Sequence, residues 1–193
     1  MKRVFMAAAL LFCAAVFAPG RALAEDKPQS ITAFGNEICD IMKASPAGLM
    51  DVLPLRYVMR IALSSEAGGE DELYDMANAA GMTIDDMIDM TLEDSGMLEE
   101  GAGADYFGND PVKKCAWSEP ETVDCDDMFE ILAEHGLMVG TIAASHDSLV
   151  NAGIEQDLQA CAGIRVKADA EDLTMALLMF DNLWYMVTAF ENE

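Results

Sequence analysis

Apolar residues recur every three or four positions through the first half of the chain, the spacing of helices that each bury one face. Phe34, Ile38, Ile41 and Met42 make one stripe, and Leu53, Tyr57, Val58, Ile61 and Ala62 a second, with Pro54 admissible only in a first turn. Leu73, Met76, Ala77 and Ala80 make a short third. The fourth helix is the best delimited. Thr83 is placed to cap it with Asp86 three residues on, Asp85 and Asp86 sit where the helix dipole favours negative charge, and Ile84, Met87, Ile88, Thr91 and Leu92 share a face that ends before Gly96. The stretch 94–111 has no period and carries five glycines or prolines, so it is expected to be an exposed acidic loop. Residues 126–134 restore helical spacing, with Met128, Phe129, Ile131 and Leu132 apolar and Gly136 as the stop.

The pattern then changes period. Ile164, Val166 and Ala168 alternate with Arg165 and Lys167, as in a strand exposed on one face. Two apolar runs, 173–180 and 183–190, flank Asp181-Asn182, residue types that tolerate the left-handed backbone of a two-residue hairpin loop. Pairing about that loop sets Phe180 opposite Leu183, Met179 opposite Trp184, Leu178 opposite Tyr185 and Leu177 opposite Met186. One face would carry Leu173, Met175, Leu177, Met179, Trp184, Met186 and Phe190, and the other Leu178, Phe180, Leu183, Tyr185 and Val187. A helical rival exists, since Leu173, Leu177, Phe180, Trp184 and Val187 also follow an a/d stripe that Asp169 could cap. The β-prone run from Trp184 through Thr188 favours the hairpin.

The fold class expected is therefore α+β, a helical N-terminal half packed on a C-terminal antiparallel β-meander, with a disulfide-stapled all-α chain as the alternative. In layout the C-terminal third resembles small helix-on-curved-sheet folds of the NTF2-like kind, a similarity of architecture that identifies no residue.

Lys2 and Arg3, the apolar run from Val4 to Ala18 and the small-x-small Ala22-Leu23-Ala24 read as a signal peptide over residues 1–24 cleaved after Ala24. The run breaks at Pro19-Gly20-Arg21, short of the ~20 residues that cross a bilayer, so no membrane span is expected in the mature chain. Phe12 before Cys13 argues against lipidation. Residues 25–193 are read as a single acidic domain. Losing Lys2, Arg3 and Arg21 leaves 8 basic side chains against 35 acidic ones, a formal charge of −27. Such a chain does not bind nucleic acid, which needs clustered cations. Its acids are interleaved with apolar residues in a sequence 52% hydrophobic, so it is expected to fold.

Cys39, Cys115, Cys125 and Cys161 remain after cleavage, an even number that in an exported chain implies two disulfides. Three connectivities are open. A turn through Pro120 would join Cys115 to Cys125 locally and leave Cys39 for Cys161, the pairing favoured here. Zinc ligation wants closer cysteine pairs or nearby histidines, and neither is present.

Catalytic chemistry is sparse, and no catalytic or cofactor-binding residue is assigned. His135 and His146 are the only imidazoles, and neither lies in a hydrolase or metalloprotease motif. Ser145-His146-Asp147 is read as a polar turn, because triad members meet through tertiary geometry and seldom through adjacency. Gly101, Gly103 and Gly108 do not reproduce a dinucleotide fingerprint. For a metal, the hard oxygens of Asp94, Glu99, Glu100, Asp105, Asn109 and Asp110 would suit calcium, but the usual loop spacing is missing, so solvated charge is the favoured reading and no metal ligand is assigned. The thirteen methionines of the mature chain are dispersed and read as core filler. Function is accordingly expected to be non-catalytic binding of a basic protein partner by a periplasmic or secreted chain. The alternatives are a carboxylate-dependent hydrolase and a calcium-binding protein.

Overall fold

The computed structural model describes residues 28–99, 101–121, 123–135 and 146–192. The expected signal peptide, Gly136 and Ser145 lie outside them. Helices α1 (Ile31–Ala44), α2 (Leu55–Ala67), α3 (Glu70–Ala80), α4 (Ile84–Asp94) and α5 (Ala102–Phe107) come first, with a 3₁₀ helix (Pro46–Val52) between α1 and α2. Strand β1 (Cys115–Glu121), helices α6 (Cys125–His135) and α7 (His146–Asn151), and strands β2 (Leu158–Ala168), β3 (Glu171–Phe180) and β4 (Leu183–Glu191) follow. The four strands form one antiparallel sheet in the order β1-β2-β3-β4. The fold is α+β, and the C-terminal helix alternative is overturned.

The turn chemistry explains that outcome. Asp181 and Asn182 hold φ of 48° and 63°, the two consecutive left-handed residues that a tight hairpin requires. All four expected pairs of the hairpin are present. Asp169 caps no helix. It sits at φ 50° in the β2–β3 turn, and its carboxylate accepts hydrogen bonds from the Lys113 and Lys114 N–H groups.

Helices cover the first face of the sheet and part of the second. On the first, Ile164, Val166, Met175, Leu177, Trp184 and Met186 meet Phe34, Ile38 and Met42 of α1 and Leu49, Met50 and Val52 of the 3₁₀ helix. On the second, Cys161, Ala176, Leu178, Phe180 and Val187 meet Val58 and Ile61 of α2, Met128, Phe129 and Leu132 of α6, and Leu149 of α7. The register passes from Leu177 opposite Met186 to Ala176 opposite Thr188, which leaves Val187 as a bulge. That extra residue reverses the alternation beyond it. Ala189, opposite Met175, takes the first face, and Phe190, expected there, pairs with Thr174 instead.

The disulfides are Cys39–Cys115 and Cys125–Cys161, with S–S distances of 2.04 and 2.06 Å, so the expected pairing of Cys115 with Cys125 and Cys39 with Cys161 is corrected. The segment expected to turn is instead strand β1, which carries its two flanking cysteines apart. Cys115 lies opposite Ala168 on the first face, beside α1, whereas Cys125 opens α6 over the second face, where Cys161 points. Each bridge thus ties one helical layer to the sheet. Gly35 of α1 permits the close approach of β1, since a Cβ there would sit 2.4 Å from the Trp117 ring, whose Nε1 donates to Asn36 at 2.9 Å.

Other expectations shift in smaller ways. The stretch 94–111 is not wholly loop. It contains α5, whose buried Gly103 lies so close to Ala47 of the 3₁₀ helix that a Cβ would meet its carbonyl oxygen at 2.0 Å. His146 and Asp147 begin α7 rather than a turn. On α3 only Leu73 and Ala77 are buried, while Met76 and Ala80 are exposed.

Candidate docking surface

Charge is distributed unevenly along this chain. Residues 61–112 hold 14 of the acids and no Lys, Arg or His. They comprise the end of α2 and all of α3, α4 and α5, and every described acid among them is exposed. Local sequence explains the arrangement. Helix α3 opens on Glu70, Asp71 and Glu72, and α4 on Asp85 and Asp86, so acids are spent at N-termini, where the dipole and free N–H groups favour them. The expected capping box is present. Asp86 N–H donates to Thr83 Oγ1 at 3.1 Å, and Thr83 N–H donates to Asp86 at 2.9 Å, holding that carboxyl below its usual range.

Two arginines of α2 supply the cations that reach this layer among the described residues. Arg56 bridges Asp85, at 3.1 Å, and Asp89 of α4. Arg60 bridges Glu70 at 2.9 Å and also donates through Nε to the Ala152 carbonyl. Four of the other described basic residues gather elsewhere. Lys113 and Lys114 precede β1, and Arg165 and Lys167 lie on β2 opposite it, on the part of the second face that the helices leave open. There Arg165 holds Asp172 through two hydrogen bonds of 2.6 and 2.7 Å. These bonds keep the Asp172 carboxyl well below its ordinary value, with help from Asn192 and Lys167.

The acidic layer also exposes apolar side chains. Six large apolar side chains stand exposed among the described residues, and five of them, Tyr74, Met76, Met90, Leu98 and Tyr106, fall between residues 70 and 107. Between α2, α3 and α4 lies a shallow cavity of about 290 Å³, lined by residues that include Arg60, Tyr74, Asn78, Met82, Ile84 and Asp85.

Among the described residues no group of three or more His, Cys, Asp or Glu is gathered closely enough to hold a metal ion. Glu100, one of the six oxygen donors weighed for calcium, lies outside them, and the other five follow the chain from the end of α4 past α5. A general acid among carboxylates would need its titration raised. The two described carboxylates whose titration moves, Asp86 and Asp172, both move down. Upward shifts fall instead on Arg165, through its hydrogen bonds to Asp172, and on Tyr57, through burial and the hydrogen bond it donates to Asp181 at 2.5 Å. The Tyr57 ring stacks on Phe180 at 4.0 Å, so it acts as a pin between α2 and the hairpin.

Beyond the excess of acids, their segregation was legible in the sequence as 52 consecutive residues without a base, a signal not used above. The cavity was not legible, because its walls come from three helices. No described helix is long and apolar enough to cross a membrane. The chain is an acidic α+β protein stapled by two disulfides, and comparison with protein-family models, curated proteins and solved structures finds no match for it.

Proposed function

We propose that this is an exported protein, periplasmic or secreted, that binds the basic surface of a partner protein through its α3–α4–α5 layer and catalyses nothing. The observation that carries the reading is coincidence. The stretch with 14 acids and no base is also where five of the six large apolar side chains exposed among the described residues lie. Acids alone would serve solubility, but solubility gives no reason to expose tyrosines and methionines among them. A docking surface uses both, the charge accelerating encounter and choosing the partner while buried apolar contact slows release. Two disulfides are compatible with an oxidising compartment.

Affinity capture from the native envelope at low and at high salt tests the proposal. A basic protein enriched at low salt and released at high salt supports it. Enrichment of no basic protein, or turnover of an ester, glycoside or peptide substrate, refutes it.

A further inference from the structure

We infer, building on that docking role, that the cavity between α2, α3 and α4 receives a single lysine side chain of the basic partner. Size sets the first limit. At about 290 Å³ the cavity falls at the bottom of the range of small-molecule sites, ~300–1,000 Å³, and suits one side chain better than a cofactor.

The lining sets the second. Ala77, Met82 and Ile84 offer apolar wall to an aliphatic stem, and the half-exposed Tyr74 offers a ring face to a cation at its end. Asp85 supplies a carboxylate, and Asn78 an amide oxygen.

The charges already present favour a cation over an anion. Arg60 is neutralised by Glu70 and spends a further donor on the Ala152 carbonyl. Asp85 is three-quarters exposed and shares Arg56 with Asp89. It can therefore turn to an incoming ammonium while Arg56 keeps a partner. Asp71, Asp75 and Asp86 stand on the same two helices, with no base on either. An incoming carboxylate would meet this field as repulsion, an ammonium as attraction.

Titrating the ¹⁵N-labelled protein with a tri-lysine peptide at low salt, followed by amide shifts, tests the inference, with tri-glutamate as the control. The expected result is that the largest shifts fall on Tyr74, Asn78 and residues 82–85, and that Tyr74→Ala and Asp85→Asn each weaken binding about two- to five-fold. Circular dichroism establishes that both variants, which change exposed side chains, remain folded. Shifts spread over residues 61–112 that spare the cavity would overturn the lysine site yet leave the docking role standing. Larger cavity shifts with tri-glutamate would overturn it in favour of an anion. The absence of shifts with either peptide would overturn it as well, while the docking role would stand or fall by affinity capture.

Discussion

The sheet and the acidic layer are built on opposite terms. Strands β2, β3 and β4 bury side chains on both faces, and two disulfides tie helices to those faces. Helices α3 and α4 bury only Leu73, Ala77, Ile88 and Leu92, and they turn acids, Tyr74, Met76 and Met90 to solvent. One region carries the hydrophobic free energy of the fold, and the other carries the charge. The separation is physically economical, since acids placed over a buried sheet would each need a partner, whereas acids on a solvated helical layer need none.

The comparison is broken first by reducing the staples. Cys39–Cys115 spans 76 residues and Cys125–Cys161 spans 36. The loops do not overlap, and loop-closure entropy gives ~4.5 and ~3.8 kcal/mol respectively. Replacing each pair by alanine should lower the unfolding free energy in urea by about those amounts, additively. Losses under ~1 kcal/mol would show that the layers hold to the sheet without them.

Gly35→Ala comes next. Its methyl group would be driven into the Trp117 ring, an overpacking that costs ~1–3 kcal/mol, read as a lower denaturation midpoint. In the acidic layer, Thr83→Ala removes one half of the capping box and should cost ~1 kcal/mol. Met76→Ala, at a position 52% exposed, should change stability by less than ~0.5 kcal/mol. A loss as large as that of Gly35→Ala would mean the layer is packed as tightly as the sheet.

The smallest effect concerns Arg165 and Asp172. Because the Asp172 carboxyl is held below its ordinary value, first by the Arg165 hydrogen bonds, its contribution is fully present above about pH 4 and is lost as pH falls through its lowered folded value. Arg165→Gln should therefore lower the melting temperature slightly at neutral pH, with the difference from the parent chain shrinking on acidification. A difference that grows in acid would contradict the assignment.

What the sequence determined was local. The period of 3.6 in α1, α2 and α4, the Thr83 capping box and the Asp181-Asn182 hairpin with its four pairs are all set by neighbours in the chain, and each formed as its pattern required. The α+β class follows from them. What tertiary structure decided was everything that depends on which surfaces meet. Strand β1 formed across a stretch with a proline because β2 offered an edge to pair with, and that pairing carried Cys115 and Cys125 to separate faces and exchanged the disulfide partners. The bulge at Val187 moved Phe190 off the face that alternation assigned to it, a slip of one residue that no local signal announced. Helix α5 settled against the 3₁₀ helix because Gly103 allows backbone to touch backbone, and the cavity arose where α2, α3 and α4 fail to close. Short-range patterns fix dihedral angles and which side of an element is apolar. Only packing among distant elements selects a partner for each cysteine, strand edge and exposed side chain, because the free energy of those contacts resides in the pair.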